Sequence, residues 1–169
     1  MGIEDLFRSK LLRRSGISVA LICEHIGWQP DVIYQIGIGA NHGETDVMTK
    51  VWEGVKLYGC EPNPRVIKGL KHKDNLYPGV IYETAVSDYV GRATLYCKPR
   101  HLDGASILPH VTCDNEWQVE VPVTTIDTLW PEGPEGRETL LWVDCEGSEL
   151  AVLHGGVQFI ESVKVVNVE

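Results

Sequence analysis

At 169 residues, with 43% hydrophobic and 23% charged side chains, the chain is one domain with enough apolar mass for a core, which excludes an intrinsically disordered protein. Its 24 Asp and Glu outweigh 15 Lys and Arg, a net charge of −9, which speaks against nucleic-acid affinity built on neutralised phosphates. No apolar run nears the ~18 residues of a membrane span, and the opening MGIEDLFRSKLLRRSG lacks a signal peptide's apolar centre; the expectation is a soluble, cytoplasmic protein with neither membrane nor nucleic-acid partners.

Apolar residues recur at helical spacing over residues 3–14 and 17–27, broken at Ser15-Gly16 and ended by Gly27 and Pro30. These N-terminal helices fill residues 1–30, ahead of a domain at 31–169. Val32 to Ile38 is short and rich in β-formers, so it reads as a strand, and a helix from Gly43 to Trp52 follows a glycine-rich turn. Val55 to Cys60 reads as the second strand. Pro64 suits the first turn of a helix reaching about Lys71. Val80 to Val86 reads as a third strand, followed by a turn at Ser87-Asp88 and a hairpin-like arm around Ala93 to Cys97. Gln118 to Val123 alternates as an edge strand or hairpin partner does.

PEGPEG, residues 131–136, reads as a surface turn. Thr139 to Val143 is an apolar run that ends in Asp144. Glu149 to Ile160 is helical with an interruption at Gly155-Gly156, and Val163 to Val168 is a last strand. Strands that read as nearly continuous apolar runs, alternating with helices, mark a parallel sheet covered on both faces. The expected class is α/β, doubly wound. Little follows the last strand to cover its outer edge, so either the natural chain runs on beyond Glu169 or a homodimer forms through that open edge.

The five cysteines, Cys23, Cys60, Cys97, Cys113 and Cys145, form no C-x-x-C pair and read as reduced thiols, Cys60 and Cys145 as small core residues. Basic stretches at Lys10, Arg13 and Arg14 and at Lys68, Lys71 and Lys73 read as solvated helix faces.

Chemistry concentrates at the strand ends. DVIYQIGIGANHGETD, residues 31–46, places Gly37, Gly39 and Gly43 in the turn after the first strand. The spacing G-x-G-x-x-x-G is one residue longer than the dinucleotide fingerprint. The second strand ends in Glu61, within LYGCEPNP, where an acid can accept hydrogen bonds from two ribose hydroxyls, in an NAD site or an adenosyl site. The later corner WVDCEGSE, residues 142–149, is rich in acids. Carboxylates repel a pyrophosphate, which favours helix N-termini and cations, but they suit a sulfonium. That tilts the reading toward S-adenosylmethionine.

The blocks GIGANHG, CEPNP, ETAVSD, VTTIDTL and LLWVDCEGSELAVLHGG stand in the order found in the FkbM-type S-adenosylmethionine-dependent methyltransferases, and from about residue 31 to 169 the chain resembles that family. The resemblance implies a Rossmann-like class I methyltransferase sheet, binding the cofactor at its first three strands, and most often O-methylation. A full sheet of this kind has two further strands after the last one here. By matching position, Gly37, Gly39, Ala40, Asn41 and Gly43 would line the methionine and ribose side. Glu61 with Pro62 would take the ribose, and Ala85, Ser87 and Asp88 would border the adenine. The family pattern usually carries an acid two residues before the glycine of G-A-N, and here that position is Gly37; its threonine three residues after the last loop glycine is Asp46, with Thr45 one place early.

An alcohol acceptor must lose its proton, which a carboxylate or His can take. Asp144 is the first choice, Glu146 the second; the alternative for Asp144 is an N-cap of the following helix. Glu149 reads as a helix-face residue or a partner for a cation, and His42 as an exposed loop histidine, with contact to a ligand as the alternative. Asp144 and Glu146 lack a third ligand for a metal, so none is expected. The expected acceptor is a small molecule or carbohydrate. Two other classes remain open: a noncatalytic adenosyl-binding or assembly module, and a nicotinamide-dependent oxidoreductase.

Overall fold

The structure is a computed structural model that describes residues 15–98, 102–109, 117–136 and 138–169. The helix expected over residues 3–14, the basic residues Lys10, Arg13 and Arg14, and Cys113 lie outside them. Helix α1 (Ser15–His25) ends in a Schellman motif. Trp28 N–H donates to Cys23 O and Gly27 N–H to Glu24 O, with Gly27 at φ +66°.

Strand β1 (Val32–Ile36), helix α2 (Gly43–Val51), strand β2 (Lys56–Cys60), helix α3 (Pro64–Leu70) and strand β3 (Val80–Tyr82) follow. Asn63 caps α3 by accepting from Arg65 N–H at 3.0 Å, and Pro64 occupies its first turn. Then come β4 (Ala85–Val86), β5 (Gly91–Cys97), β6 (Trp117–Thr124), α4 (Ile126–Leu129), β7 (Thr139–Val143), α5 (Glu149–His154), α6 (Val157–Ile160) and β8 (Val165–Val168).

The main sheet is parallel throughout, in the order β3-β2-β1-β7-β8. Both faces are covered, so the fold is doubly wound. Ile33 of β1 and Leu140 and Trp142 of β7 pack beneath α1, α2 and α3, on Cys23, Met48 and Leu70. Their neighbours Tyr34, Ile36, Leu141 and Val143 face the other way, onto Ile126, Val152 and Phe159 of α4, α5 and α6. This two-sided burial explains the unbroken apolar runs of β1 and β7. Truncating Leu141, fully buried, to Ala would cost about 2–5 kcal/mol. One polar side chain interrupts the helical face. Gln35 Oε1 accepts from Thr45 Oγ1 at 2.6 Å and from Tyr77 Oη at 3.2 Å, all three buried.

The expected strand Val80 to Val86 is two strands in two sheets. Val80–Tyr82 pairs with β2, whereas Ala85–Val86 pairs in parallel with β6. Thr84 makes the break: its N–H donates to Tyr82 O, and its hydroxyl lies within hydrogen-bonding distance of Ala85 O and Pro122 O. Nor is the alternating segment at 118–123 an edge. As β6 it is the hairpin partner of β5 and the central strand of a second sheet, β4-β6-β5. Val121 and Val123 pack there on Leu95, Cys97 and Ala85. The helix at 149–160 breaks at Gly155-Gly156 into α5 and α6.

The turn at 131–136 does more than turn. Glu135 bonds Lys56 Nζ and Tyr58 Oη, and its N–H donates to Tyr34 Oη at 3.0 Å. The Glu135 hydrogen bond pushes the Tyr58 phenol up to about 12. Cys23, Cys60 and Cys97 are buried and Cys145 half-buried, all four as free thiols. Among the described residues, no helix is long and apolar enough to cross a membrane.

Candidate active site

The order 3-2-1-7-8 reverses direction between β1 and β7, and in open α/β sheets ligands bind outside the carboxyl ends of the strands at this point. A cavity of about 360 Å³ opens there. The glycine turn forms its floor. Gly37 has φ +87° and Gly39 φ +71°, a region that side-chain-bearing residues rarely adopt. At Gly37 a Cβ would also collide with the backbone of Asp144. An acid at this position is therefore excluded sterically.

Glu61 stands at the end of β2, 5% exposed. Its Oε2 accepts from Gly39 N–H at 3.1 Å and its Oε1 from Asn63 N–H at 2.8 Å. Burial pushes the carboxyl above its ordinary value of 4.5, while hydrogen bonds from the Asn63, Gly39 and Ile38 amides oppose the rise. The charged carboxylate has about four acceptor positions, so with three amides on it about one remains for a ligand.

The third wall is the turn after β7. Asp144 and Glu146 both line the cavity and are exposed to solvent. Asp144 is not the helix cap, because the N-cap of α5 is Ser148. Glu146 sits at φ +54°, with its carboxylate 3.8 Å from Lys98 Nζ. Glu149 ties the turn together, its Oε1 accepting from Cys145 N–H at 3.0 Å and Gly147 N–H at 2.9 Å. It stands in the first turn of α5, as expected of a helix residue, and among the described residues it bonds these amides rather than a cation. Burial raises the neighbouring Cys145 thiol well above its ordinary value, so that cysteine is no nucleophile at neutral pH.

Residues 102–109 had no expected role, yet they cover the mouth. Asp103 Oδ1 accepts from Ala40 N–H, and its Oδ2 from Asn41 Nδ2 at 3.3 Å. Asn63 Nδ2 lies 3.4 Å from Leu102 O, Ser106 forms a β-bridge with Tyr96, and Ser106 Oγ donates to Glu146 O at 2.9 Å. The segment thus touches the glycine turn, the end of β2 and the Glu146 turn. It carries no periodicity and little apolar patterning; the only signal in the sequence was an Asp-Gly pair between hairpin strands.

Of the expected binding residues, Gly37, Gly39, Asn41, Gly43, Glu61, Pro62 and Ala85 line the cavity with Asp144 and Glu146. Ala40 reaches it only through the amide held by Asp103. Ser87 and Asp88 do not line it: Ser87 N–H donates to Thr124 O, and its carbonyl packs on Gly155. Thr84 and Val86 take the wall instead. His42, expected to be an exposed loop residue with ligand contact as the alternative, is 5% exposed at φ 28° and lines the cavity. Its ring meets Tyr77 edge-on, and both nitrogens are buried without a hydrogen-bond partner; Nδ1 lies 3.0 Å from Asp46 Oδ1 but out of line. The turn's left-handed step draws the ring inward, which spacing alone does not reveal.

The Methyltransferase FkbM domain profile matches residues 37–169, from the first glycine of the turn onward. The chain belongs to this family. No curated protein and no solved structure matches it significantly. In this FkbM domain four carboxylates, Glu61, Asp103, Asp144 and Glu146, line the cavity, and among its described lining residues there is no Lys or Arg. Among the described residues, no group of three or more His, Cys, Asp or Glu could hold a metal ion.

Proposed function

We propose that this FkbM methyltransferase uses S-adenosylmethionine and methylates a hydroxyl group on a small molecule or sugar. The carrying observation is Glu61, a buried carboxylate anchored to the glycine turn with acceptor capacity left over for a ribose hydroxyl. The donor set fits the cofactor in a second respect. A cavity lined by four carboxylates and, among its described lining residues, no Lys or Arg attracts a cationic sulfonium and repels a pyrophosphate. When bound, S-adenosylmethionine supplies a methyl group already activated for displacement.

The chain's own part is then to hold the acceptor in line and to take its proton. Asp144 fits the second task, since it stands at the strand end on the cavity wall and is not used as a helix cap. Glu146, turned toward Lys98, is the alternative base.

Calorimetric titration with S-adenosylhomocysteine and with NAD tests the reading. The expected result is micromolar or tighter binding of the adenosyl ligand and far weaker binding of NAD. Tight NAD binding without adenosyl binding would overturn it.

A further inference from the structure

We infer that Asp103 binds the ammonium group at the amino-acid end of the cofactor; this rests on the adenosyl reading above. Two consecutive amides of the glycine turn donate to two different carboxylates. Gly39 N–H donates to Glu61 Oε2, and Ala40 N–H to Asp103 Oδ1. The turn is therefore flanked by an acceptor at the end of β2 and an acceptor from the covering segment. A ligand lying along it meets both, and the group that satisfies each is a hydrogen-bond donor. A ribose hydroxyl suits Glu61. A cationic donor suits Asp103.

The partners of Asp103 support the assignment. Its carboxylate is fixed by Ala40 and Asn41, both neutral donors. Among the described residues no Lys, Arg or His forms an ion pair with it. Lys98 runs past Gly104 but turns to Glu146 instead. A carboxylate oriented by two neutral donors at a cavity mouth keeps its charge available for a ligand cation. The sulfonium has no N–H to donate, so the α-ammonium is the group that makes the hydrogen bond. No side chain on the turn could replace Asp103 from Gly37, where a Cβ has no room.

The test compares S-adenosylhomocysteine with 5′-methylthioadenosine, which keeps the nucleoside and thioether but has no amino-acid end. Both are titrated into the native protein and into Asp103→Asn. The expected result is a loss of about tenfold or more for S-adenosylhomocysteine, the scale of one hydrogen bond to a charged group, with methylthioadenosine affinity unchanged. Equal loss for both ligands would mark Asp103 as merely structural and overturn the assignment. Unchanged or tighter S-adenosylhomocysteine binding would overturn it as well, and in each of these cases the adenosyl reading stands. Native protein that binds neither ligand would remove the adenosyl reading itself, and the role of Asp103 with it.

Discussion

Gly37 and Asp144 meet backbone to backbone where β1 and β7 end: a Cβ built on Gly37 would stand 1.8 Å from the Asp144 carbonyl oxygen. Adjacent parallel strands thus stay in contact one residue beyond their pairing, and Asp144 N–H donates to Ile36 O at 2.9 Å across the same gap. The contact places the Asp144 turn against the glycine turn. Here the family's usual acid has no room, and the carboxylates come from β2, the covering segment and the β7 turn.

Gly37→Ala is expected to destabilise the protein by at least ~1–2 kcal/mol for the left-handed backbone alone. The overlap with Asp144 adds to this or forces the two turns apart. Urea unfolding gives the first effect and titration with S-adenosylhomocysteine the second. A variant of native stability and native affinity would show that the strand ends are not in contact.

Glu61→Gln should lower adenosyl affinity by roughly 1–3 kcal/mol while the circular-dichroism spectrum stays native. Unlike Asp103→Asn, it should weaken S-adenosylhomocysteine and methylthioadenosine alike, because both carry the ribose. Loss of only one would misplace the ribose.

The same carboxyl sets a pH dependence. Burial raises Glu61 above 4.5 in the folded protein, so the native state holds this proton where the unfolded chain has released it. Its contribution to stability is greatest below 4.5 and falls as pH rises through the folded value. Urea unfolding from pH 4 to 7 should show native protein losing stability relative to Glu61→Gln. A relative gain with rising pH would mean that the amide hydrogen bonds outweigh burial.

Asp144→Asn should cut turnover by ~10²–10⁴-fold with an accepted hydroxyl substrate and leave adenosyl affinity near native. Equal losses in both would assign Asp144 to holding the two turns together rather than to proton transfer.

The main sheet was legible because its physics is local. Val32 to Ile36 and Thr139 to Val143 are buried on both faces, and two-sided burial writes itself as an unbroken apolar run. The Pro64 helix start was legible through its fixed φ and the preceding Asn63. The division at Thr84 was not, since VIYETAV has strand composition throughout and the break depends on β6, about 40 residues away. Asp103 was missed for a similar reason: its partners, Ala40 and Asn41, are remote in sequence. Ser87 was placed beside the adenine only through its matching position in the family pattern, while its own residues read as a turn. Here its backbone is engaged by Thr124 and Gly155.

The buried trio of Gln35, Thr45 and Tyr77 has a consequence for how this chain can drift. One acceptor, Gln35 Oε1, serves both hydroxyls, so exchanging Gln35 for Leu would orphan two donors at once, at about 1–3 kcal/mol each. Exchanging Thr45 for Val or Tyr77 for Phe first would leave the amide with one partner fewer. Each single step is uphill, whereas the triple change to apolar side chains of similar shape is close to neutral. These three positions, on β1, α2 and the loop before β3, should therefore vary as a set among descendants of this sequence. A lineage that has lost one of them is expected to have lost the others.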